Sequence, residues 1–316
     1  MRDTPVHHLS SPQSPTVSAA HGGDQTTRRI HPHRALRLRW SFTAAHDGDD
    51  ARAIPHPNLS SQRGEGGKAA ISMSDKAFGL TIRLYDFSET SRIAVFWTRE
   101  HGKMRALARG AKRLKSAFES SLDLLNACNI VLIRKASGLD LLTEAQVFER
   151  FPSLRRDLSA LYGGYYLAEL LSDLTQDHDP HPPAFDEAMQ TLRDLGQPGI
   201  AAGPRLAQFE LVLLRELGYG PALDACAACG NDIGDDSLAY SAAAGGIVCR
   251  ACGNTFRERR PLSYEAWQAM RRMRHGGEGW KGIDDPATRR EVRQMLDDSV
   301  SYLLGRRPKL LPYLGS

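Results

Sequence analysis

The stretch AFGLTIRLYDFSETSRIAVFWTREHGKMRALARG, residues 77–110, decides the fold class. Leu80, Ile82 and Leu84 alternate with Thr81 and Arg83, the period of two that marks a strand with one buried face. Ile93 to Trp97 is a second apolar run, and Gly102-Lys103 supplies a turn into a third, Met104 to Ala108. Beyond a basic loop, Leu122 to Ile133 is expected to form a long fourth strand. Ser137-Gly138 then turns the chain into a fifth, Leu139 to Val147. Five strands in roughly seventy residues suit a small closed barrel, of which the oligonucleotide/oligosaccharide-binding (OB) type is the commonest.

From Phe151 the period changes. Leu154, Leu158, Leu161, Tyr165, Ala168 and Leu171 recur every three or four positions, as on one face of a helix. After the loop QDHDPHPP a short helix is expected near Phe185 to Leu195, and a stronger one from Pro204 to Leu217. In the latter Leu206, Phe209, Leu213 and Leu217 share a face, with Gly218 just past the end. Helices resume near Ser263 to His275 and from Pro286 to Leu304. The last has Asp285 as N-cap, Val292, Leu296, Val300 and Leu303 on one face, and Gly305 as its stop. The predicted class is α+β and multidomain: an OB barrel over 73–150, then an all-helical domain over 151–316 with a zinc ribbon inserted at about 224–256.

Residues 1–72 differ in kind. They hold seven of the eleven histidines and much Ser, Pro and Gly without apolar periodicity, and read as a disordered extension. Met73 opens MSDKAFGLTIRLYDF, the start of a folded domain, so a misplaced start codon would also explain the extension. Arg28 and Arg29 do not make an export signal, because IHPHRALRLRW is too polar to follow them as an apolar core. The longest apolar runs, Ile130 to Ile133 and Leu211 to Leu214, fall far short of the ~20 residues of a membrane span. A cytoplasmic protein with no membrane partner is expected.

Four of the five cysteines form CAAC-x19-CRAC: Cys226, Cys229, Cys249 and Cys252. Two thiolate pairs with two-residue spacing can close one tetrahedron around Zn2+. Gly230 and Gly253 let each turn fold back so that backbone N–H groups reach the sulfurs. A redox role would want a βαβ context, which is missing. Four protein thiolates leave no position for water, so one structural zinc is expected rather than a catalytic one. Cys128, in an apolar strand, reads as a small buried hydrophobe.

The net charge of +4 is mild, but its distribution is not. Between Arg92 and Lys115 eight Lys/Arg residues face one acid, Glu100. Arg92, Arg99, Lys103, Arg105, Arg109, Lys112, Arg113 and Lys115 fall on strand edges and loops, where they could follow a phosphate backbone and release counterions. Phe96, Trp97 and Phe118 are candidates to stack on bases, with barrel filling as the competing role, above all for Phe96. Arg250, Arg257, Arg259 and Arg260 around the cysteines are either further phosphate contacts or a solvated rim. Asp177, His178, Asp179 and His181 read as a plain loop between helices. GEGGK at 64–68 lacks the first glycine and the Ser/Thr of a phosphate loop, and no nucleophile stands beside a base, so no enzyme is expected.

Taken together, RLYDFSETSRIAVFWTREHGKMRALARGAKRLKS, ALYGGYYLAELLSDLT, FELVLLRELGYGPALDACAACG and LGRRPKLL, in this order, resemble the bacterial recombination mediator family RecO from about Met73 onward. The resemblance implies an OB fold, a helical domain with a zinc ribbon on Cys226, Cys229, Cys249 and Cys252, and work in the RecF pathway of DNA repair. It implies binding of single- and double-stranded DNA, annealing of complementary strands, and help in loading RecA, together with RecR, on DNA coated by single-strand-binding protein. The acidic C-terminal tail of that protein would be met by the helical domain, and a nucleoid-associated location follows. The basic barrel surface carries over to Arg92 through Lys115. The rival reading is a zinc-ribbon and OB-fold transcription or RNA-binding factor.

Overall fold

In a computed structural model of the chain, residues 74–233 and 238–314 are described. The expectations for residues 1–72, and for a start at Met73, lie outside them. Five strands close a barrel in the order β1-β2-β3-β5-β4. They are β1 (Ser74–Asp86), β2 (Arg92–Thr98), β3 (Gly102–Ala108), β4 (Ala127–Ile133) and β5 (Asp140–Glu149). β1 is long enough to serve two neighbours. Its first half pairs with β4, from Ser74↔Ile133 to Leu80↔Ala127, and its second with β2, up to Asp86↔Arg92. The register breaks between Thr81 and Arg83, where a bulge bends the strand around the barrel. Closure comes from β3 and β5, parallel over Ala106↔Asp140 and Leu107↔Leu141.

The fourth strand starts at Ala127 rather than Leu122. Leu122 and Leu125 are buried in turns before it, Leu122 against the barrel interior and Leu125 against the helices. A short apolar run reads the same whether it is a strand or a buried turn.

Alternation sends Ala94, Phe96, Met104, Ala106, Ile130, Leu132 and Leu142 into the barrel. The opposite faces of β1 and β2 carry Leu80, Ile82, Val95 and Trp97, and these join one large core with the helices. Trp97 packs on Phe185 with ring centroids 5.7 Å apart. β2 is therefore buried on both sides, and the barrel and the helical region share apolar contact.

The helical region comprises α1 (Leu158–Leu174), α2 (Pro182–Leu195), α3 (Ala202–Glu216), a four-residue α4 (Arg250–Gly253), α5 (Tyr264–Met273) and α6 (Pro286–Leu304). A short 3-10 helix, Pro152–Arg156, precedes α1, whose first turn is capped by Asp157 accepting from the Ala160 N–H at 2.8 Å. Leu158, assigned to the buried face by its spacing, is instead exposed. Asp285 caps α6 by accepting from the Thr288 N–H, and Gly305 ends it at φ +67°.

α3 is buried on every side, including Arg205, Gln208 and Glu210. Each polar group has a partner. Arg205 reaches Glu187 at 2.6 Å and Asp194 at 2.7 Å, and Arg293 of α6 donates to both Glu210 oxygens at 2.6 Å. Such charges persist in a core only when paired. Between α3 and α5 a small sheet in the order β7-β6-β8 is built from β6 (Ala239–Ser241), β7 (Gly246–Val248) and β8 (Arg260–Pro261).

The loop between α1 and α2 lies along the edge of β3 that β5 leaves free, and the His178 N–H donates to the Lys103 carbonyl at 3.0 Å. Gly102 permits this approach: its φ is +67°, and a Cβ there would stand 2.4 Å from the Asp179 carbonyl oxygen. Gly102→Ala is expected to lower stability by at least about 2 kcal/mol, from left-handed strain plus the clash. An unchanged urea midpoint would contradict that close approach.

Candidate nucleic-acid interface and metal centre

Two single helical turns bring the four cysteines together. The Gly230 N–H returns to the Cys226 carbonyl and the Gly253 N–H to the Cys249 carbonyl, both at 2.8 Å, so each CxxC pair folds over on itself. Strand β7 delivers Cys249 toward the first pair, and the Cys249 N–H donates to the Cys226 sulfur at 3.3 Å. All four sulfurs lie within 4.8 Å of one another, with Cys229 and Cys249 at 3.9 Å. A tetrahedron of zinc–thiolate bonds of about 2.3 Å sets its sulfurs about 3.8 Å apart, so the donor set and its spacing fit such an ion. Burial works against the Cys226 thiolate, yet N–H groups of Cys249, Cys229 and Ala228 outweigh it and bring the thiol down to about 6. Hydrogen bonding with Cys229 and Cys249 pushes Cys252 up to about 12. Four thiolates this close need a cation to coexist. Among the described residues this is the only group of His, Cys and acidic side chains close enough to hold a metal ion. Asp177, His178, Asp179 and His181 make no such group; Asp177 pairs with Arg105 and Asp179 with His181.

The basic stretch from Arg92 to Lys115 is sorted by the fold into different duties. Lys103 is all but buried and its charge is spent inside the protein. Its Nζ donates to the carbonyls of Ser172 at 2.8 Å and Thr175 at 2.6 Å, capping the C-terminus of α1, and burial lowers its pKa. Alternation does place it outside the barrel, but helices cover that part of the outside. Arg99 makes a two-pronged pair with Asp186 of α2, at 2.9 and 3.0 Å, and Arg105 stands 3.4 Å from Asp177. Arg92 and Lys112 share Asp86, at 3.2 and 3.1 Å, and their hydrogen bonds hold its carboxyl below the usual carboxylate range. The Lys112 N–H also donates to the Thr90 carbonyl at 2.9 Å, which pins the basic loop to the β1–β2 turn. That leaves Arg109, Arg113 and Lys115, all exposed, with no carboxylate in ion-pairing range among the described residues.

The aromatic candidates are not available for stacking. Phe96 and Phe118 fill the barrel, and Trp97 lies under α2. Exposed apolar side chains do occur at the pinned loops, namely Tyr85, Phe87 and Leu114. Tyr85 and Phe87 bracket Asp86 at the end of β1, where a run of tyrosine, aspartate and phenylalanine leaving a strand was the available signal.

Two basic grooves complete the surface. One of about 550 Å³ lies at the barrel edge, lined by Arg105, Arg134, Lys135, Asp177 and His178; Arg134 is held by Asp75 at 2.7 Å. Arg134 and Lys135 lie outside the charge-dense stretch and escape a window count. The other, about 950 Å³, runs beside the cysteine centre and is lined by Arg250, Arg257, Arg259 and Tyr264. Arg259 is braced there by the Gly253 carbonyl at 2.6 Å, whereas Arg260 is paired with Asp298. Among the described residues no helix is long and apolar enough to cross a membrane.

The sequence has counterparts among known proteins. A family model described as recombination protein O N terminal matches residues 73–151, and one described as recombination protein O C terminal matches residues 155–312. "DNA repair protein RecO" of Rhodopirellula baltica is 35% identical over 262 residues, covering 74% of this chain and 97% of that protein. The protein of the same name from Anaeromyxobacter sp. is 34% identical over 238 residues, 73% of this chain and 92% of its own length. That of Bacillus pumilus is 32% identical over 246 residues, 76% and 94% respectively. Matches that run through the barrel, the helices and the cysteine centre in one order show that this chain belongs to the recombination protein O family, a family of DNA repair and recombination proteins.

Proposed function

We propose that this chain is a non-catalytic mediator of the RecF pathway, working in the cytoplasm at the nucleoid. The barrel, whose strand order suits an OB fold, holds single- and double-stranded DNA by its phosphates. One structural zinc on Cys226, Cys229, Cys249 and Cys252 supplies the cross-link that orders the ribbon. The observation that carries the reading is the set of guanidinium and ammonium groups of Arg109, Arg113 and Lys115, exposed and without a carboxylate partner among the described residues, on a loop that Lys112 fastens to the β1–β2 turn. Because the loop backbone is already held, binding phosphate orders the side chains and not the loop, and each contact releases condensed counterions. Arg92, Lys112 and Arg105 add to the field while bound to acids; Lys103 supports the surface from behind.

Holding two strands by their backbones leaves base edges free to pair, which is the physical requirement for annealing. Displacing single-strand-binding protein through its acidic tail, acting with RecR, and clearing DNA for RecA complete the role. The test is the annealing of complementary oligonucleotides coated with single-strand-binding protein. The purified zinc-loaded protein should accelerate it. An unchanged rate would overturn the proposal, and tight binding of structured RNA in its place would favour the RNA-factor reading.

A further inference from the structure

The turn that carries the free cations is built unusually. The Ser116 N–H donates to the Arg113 carbonyl at 3.0 Å, with Leu114 and Lys115 between them. Lys115 sits at φ +64°, a left-handed conformation that side-chain-bearing residues adopt only at an energetic cost. The preceding turn, from the Gly110 carbonyl to the Arg113 N–H at 3.0 Å, and the Lys112 bonds to Thr90, Asp86 and Ser88 hold this conformation in place. Its result is that Leu114 projects into solvent, 95% exposed, flanked in sequence by Arg113 and Lys115. Asp86 and Ser88, which anchor Lys112, themselves flank Phe87, which is 57% exposed. A single exposed leucine needs no explanation. A leucine held out by a strained turn, on a loop tied to the residues beside an exposed phenylalanine and bearing cations unpaired among the described residues, does.

We propose that Leu114 and Phe87 form an apolar contact for unpaired bases, with Leu114 wedging between or against bases and Phe87 offering a stacking face, while Arg109, Arg113 and Lys115 hold the flanking phosphates. This inference rests on the nucleic-acid reading above and adds to its single-stranded substrate two side chains that touch bases rather than phosphates, without sequence preference. The chemistry selects that occupant. Phosphates satisfy the cations, and only unstacked bases present flat apolar faces beside them; in a closed duplex the bases stay stacked on one another. An acidic peptide would match the charge but would not bring a flat apolar surface at every repeat.

The apolar part has a signature that separates it from the electrostatic part. Counterion release depends on cations, so removing an apolar side chain lowers single-strand affinity and leaves the slope of log affinity against log salt unchanged. The experiment uses the whole zinc-loaded chain, with fluorescence anisotropy of a labelled oligothymidylate and of a blunt duplex of equal length, over a salt series. Leu114→Ser should weaken single-strand binding about tenfold, the usual scale of one base contact, with unchanged salt slope and unchanged duplex affinity. Phe87→Ser should act in the same direction, and Leu114→Met should restore the preference. Because both side chains are exposed, the melting curve serves as a control on folding. Equal losses on both substrates, or a reduced salt slope, would overturn the wedge. No change in either substrate, while Arg109, Arg113 and Lys115 changed to Glu weaken binding roughly 100-fold, would also overturn it and leave the nucleic-acid reading standing. Failure of the unaltered protein to bind either substrate would instead sink that reading.

Discussion

Cys229→Ser, or stripping the metal with a strong chelator, is expected to lower the melting temperature of this protein by roughly 10 °C, equivalent to about 3–5 kcal/mol. The ribbon sheet has strands of three, three and two residues, too short to persist without a cross-link. Isolated zinc peptides draw about 10–16 kcal/mol from the metal. The loss here is smaller because the ribbon also packs on the helices. Leu223, Tyr240 and Ile247 belong to the large core, the Tyr240 hydroxyl meets Ser299 at 2.6 Å, and Trp267 Nε1 donates to the Leu223 carbonyl at 2.7 Å. Those contacts also predict spread of the damage into α5 and α6. Thermal scans with and without chelator, read beside thiol titration, check this; superimposable scans with four thiols newly reactive would refute a structural role for the metal.

Changing Arg109, Arg113 and Lys115 together to Glu should reduce DNA affinity by about 3 kcal/mol at low salt, roughly 100-fold, if each side chain holds one phosphate at on the order of 1 kcal/mol. The salt slope should fall by about 0.9 for each phosphate that the variant no longer neutralises. Lys112, which composition alone would include in the set, is better left intact. Its bonds to Asp86, Ser88 and Thr90 position the loop, so reversing its charge would set two carboxylates against each other and confound binding with loop geometry. Filter binding or anisotropy at several salt concentrations gives both quantities. Unaltered affinity and slope would make the loop a solvated face.

The local chemistry was legible in the sequence wherever it depended on near neighbours in the chain. The spacing of CAAC and CRAC specified a four-thiol centre because each turn is made by residues within it. Asp285 and Gly305 bounded α6 for the same reason, since a cap acts within one helical turn. The alternation of Leu80 and Ile82 with Thr81 and Arg83 marked β1 as a strand in the same way, since period two is a property of the local backbone.

What lies against each face was decided only by the tertiary structure. Lys103 and Trp97 do point out of the barrel, but α1 and α2 cover that outside, so the lysine caps a helix and the tryptophan packs in a core. Arg99, Arg105 and Arg92 have carboxylate partners, two of them from the loop and helix that follow α1, about 70 to 90 residues away along the chain, and no window of charge could reveal them. Arg109, Arg113 and Lys115, which remain unpaired among the described residues, stand in sequence around an exposed leucine next to a left-handed lysine. Sequence period reports the direction a side chain takes from its own backbone; whether it then meets solvent, a carbonyl or an aromatic ring depends on segments distant in sequence, and those meet only when the chain has folded.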